Sequence, residues 1–201
     1  MSAAIPGYIK ASAELIPRFE AISSEELYAH VNHLLPQGNK SILDIGAGTG
    51  RDAAWFAERG QNVVAVEPVK ELRETGITLH QTSRIQWLDD ALPYLSRTMK
   101  RGEKFDFVML SGVWQHLDAD ERQEAMQNLR NLTRLNGLLI MSLRHGPGAP
   151  SRPCFEANPE QVIRLATEFG FRLVYRHRAD SIQASNLAAG VAWTWLAFAP
   201  D

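Results

Sequence analysis

Three glycines spaced two apart, Gly46, Gly48 and Gly50, follow the acid Asp44, and a second acid, Glu67, stands 17 residues beyond the last of them. Glycine has no Cβ, so such a loop lets a ligand come up against the backbone and lets the chain turn where other residues cannot. An acid at the end of the next apolar run is placed to accept hydrogen bonds from ribose hydroxyls. The chemistry this spacing points to is the holding of a nucleotide-like cofactor. A second set of residues suits proton handling and substrate contact: His116 and His145, with Arg144 and Trp114 beside them in the chain. Imidazole titrates near neutral pH and can serve as a general base. A guanidinium can pair with a carboxylate or phosphate on a substrate.

These side chains need elements to carry them. Ile42, Leu43 and Ile45 form a short strand-like run that stops at the glycines, and Arg51 to Arg59 carries Ala53, Ala54, Phe56 and Ala57 on one side of a helix ending at Gly60. Asn62 to Val66 reads as a second, parallel strand with Glu67 at its carboxyl end. Arg84 to Leu88 and Phe105 to Leu110 read as the third and fourth strands, the latter followed by Ser111 to His116 at the edge where open α/β sheets bind ligands. Ala125, Met126, Leu129 and Leu132 share one helical face. Leu138 to Leu143 reads as a buried strand, after which Arg144 and His145 enter a Gly/Pro loop. Asn158 and Pro159 mark a helix start ahead of Val162, Leu165, Ala166 and Phe169, and Gly170 its end. Phe171 to Arg178 and Val191 to Phe198 are joined by so short a segment that an antiparallel return is expected.

A dinucleotide fingerprint would place its third glycine where this chain has Arg51, so the glycine spacing departs from it. On the run Asp44 to Gly50 the chain resembles the class I S-adenosylmethionine-dependent methyltransferases of small-molecule type, whose first motif has this spacing with an acid two residues before the first glycine. Their cofactor carries an α-amino group, a carboxylate and a sulfonium but no pyrophosphate, which suits a carboxylate beside the loop. The resemblance implies cofactor contacts from Asp44, Gly46, Gly48, Glu67 and Ser111. Asp89-Asp90-Ala91-Leu92-Pro93 resembles the family's acidic motif at the adenine amino group, with Asp90-Ala91 the nearer match and Asp89 an open alternative; either aspartate could equally cap a helix. The fold implied is α/β, a Rossmann-like, doubly wound, seven-stranded and mostly parallel sheet with an antiparallel last strand and helices on both faces. It spans residues 41–201, and a helical segment over residues 1–40 packs on it, covering the cofactor or shaping the substrate pocket.

The acceptor is narrowed by what is missing. Ser111-Gly112-Val113-Trp114 does not match the Asn/Asp-Pro-Pro-aromatic motif of DNA amino-methylating relatives, and Pro153-Cys154 lies after the fifth strand rather than the fourth, where cytosine C5 enzymes have such a pair. The paired-glutamate loop of arginine methyltransferases is absent. A net charge of -2 gives no overall basic footprint for nucleic acid. The lone cysteine of the 201 residues, Cys154, excludes an intrachain disulfide framework, no metal-ligand spacing occurs, and the absence of a long apolar run points to a cytoplasmic chain without a membrane span. The expectation is methyl transfer to an oxygen or nitrogen of a small molecule, with His145 ahead of His116 as candidate base and Arg144, His145 and Trp114 as candidate substrate contacts. Two alternatives stay open. One is an RNA- or protein-modifying enzyme that recognises its target through Ser2 to Leu35 and the 144–157 loop; the other is a protein that binds the cofactor without catalysis.

Overall fold

The computed structural model describes residues 3–201; Met1 and Ser2, with which the expected N-terminal segment begins, lie outside the described residues. Strands β1 (Ser41–Ile45), β2 (Asn62–Val66), β3 (Ile85–Leu88), β4 (Phe105–Leu110), β5 (Thr133–His145), β6 (Phe171–Asp180) and β7 (Ala192–Pro200) form one seven-stranded sheet in the order β3-β2-β1-β4-β5-β7-β6. β1 pairs parallel with β2 and β4, β2 with β3 and β4 with β5, whereas β7 runs antiparallel to both β5 and β6. The expected sheet with its reversed last strand is observed. Its order turns back between β1 and β4, the switch point beyond which such sheets open a crevice.

Alternation along the strands splits the core into two layers. Ile42, Phe107, Met109, Ile140 and Trp195 face α2 (Ser24–Leu27), the 3-10 turn Ala29–Leu34 and α3 (Arg51–Glu58). Leu43, Val64, Val108, Leu139 and Leu196 face α6 (Ala119–Leu132) and α7 (Pro159–Glu168). On α6, Ala125, Met126, Leu129 and Leu132 are all buried as their spacing predicts. At roughly 1.5–3 kcal/mol for each fully buried Leu or Met, that stripe outweighs the ~1 kcal/mol contributed by a helix cap, here the box between Asp118 and Glu121.

Two elements differ from expectation. β5 starts at Thr133, directly after α6, because a register shift lets Thr133 pair with Phe105 before Leu138 pairs with Phe107. It also runs on through Arg144 and His145, which pair with Trp193 and Ala192 and so belong to the strand rather than to the loop. The segment between β6 and β7 holds a short helix, α8 (Ala184–Ala188). At the N-terminus, α1 (Ile5–Glu20) lies beside α4 (Lys70–Leu79). A Cβ on Gly7 would sit 1.8 Å from the Ser151 carbonyl oxygen, so only glycine lets α1 approach the loop after β5 this closely.

Candidate active site

The carboxyl ends of β1, β2 and β4 and the segment after β3 open into a cavity of about 330 Å³, lined among others by Asp44, Gly46, Gly48, Glu67, Asp90 and Ser111. The glycine loop is already hydrogen-bonded within itself. The amides of Gly46 and Ala47 donate to the Val66 carbonyl at 2.8 and 3.0 Å, that of Gly50 donates to Ala47, and that of Gly48 donates to Glu67 Oε2 at 2.8 Å. Glu67 Oε1 accepts from the Val69 amide at 2.8 Å. Burial raises the Glu67 carboxyl to about 7 against the pull of these amides and of Arg73. Asp44 is more constrained. It is buried, its Oδ2 has no hydrogen-bond partner among the described residues, and burial together with Asp52 raises it to about 8 despite Arg51. Gly50 closes the loop at φ +80, and a Cβ there would lie 2.5 Å from the Trp87 ring.

The residue standing in place of a third glycine has a role of its own. Arg51 grips Asp52 through Nε and a terminal nitrogen at 2.8 and 2.7 Å and donates from the other terminal nitrogen to the Phe19 carbonyl at 3.1 Å. Asp52 also accepts from Ser24 Oγ and the Tyr28 hydroxyl at 2.7 and 2.8 Å. The Thr49 hydroxyl donates to the Glu20 carboxylate, and His80 Nε2 lies 3.3 Å from the same group. The C-terminal end of α1 is thereby tied to the glycine loop and to α4.

The far end of the cavity collects residues from separate elements: Tyr8 on α1, His116 after β4, Arg144 on β5, Arg152 and Cys154 in the following loop. His116 Nδ1 is 2.8 Å from the Pro153 carbonyl, which can only accept, so Nδ1 carries the proton and Nε2 accepts from the Tyr8 hydroxyl at 2.9 Å. Burial lowers the proton affinity of His116, as do Arg152 and Arg144, against the Pro153 bond. Burial pushes the Tyr8 hydroxyl up to about 12, with Arg152 opposing.

Three expected site residues are placed elsewhere. His145 follows Arg144 on a strand, so it points to the other face of the sheet; its Nε2 is 2.8 Å from Thr194 Oγ1, and it is not among the residues lining the cavity. Trp114 is fully buried, because the 3-10 turn Trp114–His116 swings its indole into the core under the sheet. Asp89 lies outside the cavity lining, held by Arg73 and Arg97 at 3.4 and 3.5 Å. Asp90 lines the cavity while its Oδ2 accepts from the Thr98 amide and hydroxyl at 2.8 and 2.9 Å, so it also caps α5 (Ser96–Lys100).

A family model for a methyltransferase domain matches residues 42–137, the stretch that carries β1 to the start of β5. That stretch, a little under half of the chain, is similar to a methyltransferase domain. An uncharacterised methyltransferase of Mycobacterium tuberculosis is 30% identical to this chain over 89 residues, 44% of this chain and 34% of that one, so the match spans about a third of that relative's length. Among solved structures, the 1,6-didemethyltoxoflavin-N1-methyltransferase of Burkholderia thailandensis superposes with a TM-score of 0.75 at 19% identity, over 98% of this chain and 87% of the other. An N-methyltransferase of Bradyrhizobium japonicum gives 0.74 at 17% identity over 98% of both chains. At such identities the likeness speaks for the fold.

Sequence reasoning missed Tyr8, Arg51, Asp52 and Arg152. Tyr8 sits in an ordinary helical pattern, and the one available signal was Gly7 beside it, a residue that weakens a helix interior and marks a close approach. Arg51 was noticed only for the glycine it replaces. Among the described residues no group of three or more His, Cys, Asp or Glu side chains is arranged to hold a metal ion.

Proposed function

We propose that the chain binds S-adenosylmethionine at the acidic end of the crevice and transfers its methyl group to an oxygen or nitrogen of a small molecule held at the other end. The observation that carries this is Asp44, a buried carboxylate with an unpartnered oxygen beside a loop whose Gly46, Ala47, Gly48 and Gly50 amides are already engaged. A pyrophosphate would need those amides free. A buried carboxylate cluster gains instead from a cation, and the α-amino group of the cofactor supplies one. Glu67 would meet the ribose, Asp90 the adenine amino group, and Gly46, Gly48 and Ser111 the wall between them. When bound, the cofactor supplies an activated methyl group on a sulfonium.

The chain's own task is then to orient the acceptor and take its proton. His116 is the base: its Nε2, the unprotonated ring nitrogen, faces the Tyr8 hydroxyl, and its lowered proton affinity keeps it neutral at physiological pH. Residues 41–201 hold both ligands, and residues 1–40, Met1 and Ser2 of them undescribed, act as their cover. Because α1 and the loop after β5 close the acceptor end, a small molecule suits the site better than a polymer, and the net charge of -2 adds no track for RNA. No described helix is long and apolar enough to cross a membrane, and the free thiol of Cys154 suits a reducing compartment such as the cytoplasm.

Calorimetry tests the assignment. S-adenosylhomocysteine should bind, Glu67→Ala should weaken it by about tenfold, a loss of ~1.4 kcal/mol, and NAD should give no heat. Tight NAD binding with none for S-adenosylhomocysteine overturns it.

A further inference from the structure

Among the described residues, two guanidinium groups at the acceptor end have no partner of opposite charge. Arg144, near the end of β5, and Arg152, in the loop that Gly7 lets α1 approach, both line the cavity, and among the described residues neither makes an ion pair with a carboxylate. Each lies over an aromatic ring: Arg152 Cζ is 5.1 Å from the centroid of the Tyr8 ring and Arg144 Cζ 5.5 Å from that of Trp193. A cation over an aromatic ring is attracted to it without using up the N–H groups of its guanidinium. Arg144 uses one terminal nitrogen on the Pro147 carbonyl at 2.7 Å, and the Arg152 guanidinium makes no hydrogen bond to the described residues.

The two stand near enough to act on each other and on the pair between them. Each lowers the proton affinity of His116, and Arg152 adds to burial in lowering that of Arg144, with Cys154 and Tyr8 opposing. The acids lining the cavity are elsewhere: Asp44, Asp52, Glu67 and Asp90 at the glycine-loop end, and Asp180 at the end of β6. Like charges gathered in a partly desolvated pocket are stabilised by an anion, and planar guanidinium groups match the oxygens of a carboxylate or phosphate.

We infer that the acceptor carries a carboxylate or phosphate group, gripped by Arg144 and Arg152, which presents the atom to be methylated to the Tyr8–His116 pair. This deepens, and rests on, the methyltransferase reading above. It makes the crevice bipolar, with an acidic end for the cationic donor and a basic end for an anionic acceptor, and it makes Arg144 and Arg152 determinants of specificity.

The test uses small probes rather than the unidentified acceptor. The full chain, saturated with S-adenosylhomocysteine, is titrated by NMR with benzoate, phenyl phosphate and benzamide, following the Arg Nε–H and His116 ring signals. At least one anion should bind ten times or more tighter than benzamide, and the tighter of the two identifies the group as carboxylate or phosphate. The double variant Arg144→Gln/Arg152→Gln should lose that preference, while Arg144→Lys/Arg152→Lys, with charge but no planar fork, should keep part of it; thermal midpoints and S-adenosylhomocysteine affinity show that the variants are folded. Equal affinity for the three probes, no binding of either anion, or a preference that survives the glutamine variant overturns the inference. So does a preference seen in the free protein but lost on loading, which assigns the arginines to the cofactor's own carboxylate. If S-adenosylhomocysteine itself does not bind, the methyltransferase reading fails, and titration of the free protein decides the anion site separately.

Discussion

The two ends of the crevice are built in opposite ways. The acidic end comes mostly from one short stretch of chain, Asp44 to Glu67, spanning β1, α3 and β2, where Asp52 and Glu67 are hydrogen-bonded to Ser24, Tyr28 and a loop amide and one oxygen of Asp44 is left over. The far end draws Tyr8, His116, Arg144 and Arg152 from four places up to 144 residues apart, and its charges lie against aromatic rings rather than against partners. An embedded end is suited to one invariable ligand. An end with uncommitted donors is suited to selecting among many, and it is there that differences between members of one fold reside.

The sharpest way to break this contrast is at His116. His116→Ala should lower kcat about 100-fold or more, the usual contribution of general-base help, while leaving S-adenosylhomocysteine affinity unchanged. In the unaltered protein the acid limb of the rate profile should fall below the ordinary histidine value of 6.5, since burial and the two arginines hold its proton affinity down. Near-full turnover in the alanine variant would show that the far end does no proton chemistry.

Next in size is Arg51→Ala, which leaves Asp52 without its bidentate partner and frees the end of α1. Breaking a mostly buried pair costs about 3–5 kcal/mol at most. Urea unfolding should show a loss approaching that, with faster amide exchange along α1; unchanged exchange there would mean that α1 is held by packing alone.

A smaller effect is expected from Asp44→Asn. With the Asp44 carboxyl raised from 3.8 to about 8 and Glu67 from 4.5 to about 7, the folded protein binds more protons than the unfolded one across that window. The stability of the ligand-free protein therefore falls as pH rises from about 4 to about 8. Asp44→Asn should flatten this decline and raise the thermal midpoint at pH 8 by roughly 2–4 °C, equivalent to about 1 kcal/mol in a chain of this size, while weakening cofactor binding. Stability that rises with pH would contradict the buried-carboxylate picture. Smallest of all, His145→Ala should change kcat by less than about twofold, because its ring bonds Thr194 on the far face of the sheet.

What could be read from the sequence follows the same division. β1, the glycine loop, α3, β2 and Glu67 are adjacent in the chain, so spacing alone fixed their arrangement, and the short link between β6 and β7 dictated the antiparallel pair. The acceptor end depends on parity and on long-range packing. The apolar run that marks β5 stops at Leu143, two residues before the strand ends at His145, and a single residue decides which face of the sheet a side chain meets. Trp114 was placed by its position after β4, but the 3-10 turn sent its ring inward and left His116 at the cavity. Arg152 carries no local signal and Tyr8 only that of its neighbour Gly7, since the two meet where Gly7 allows α1 to approach the loop.

The most direct test of the central claim, that buried carboxylates receive the cationic part of the donor, is proton linkage on binding. S-adenosylmethionine titrated by calorimetry near pH 7, in buffers of different ionisation enthalpy, should drive net proton release, because a cation lowers the proton affinity of the partly protonated Asp44 and Glu67. The release should vanish in Asp44→Asn/Glu67→Gln. Binding heat that is independent of buffer, or net proton uptake, would contradict the account.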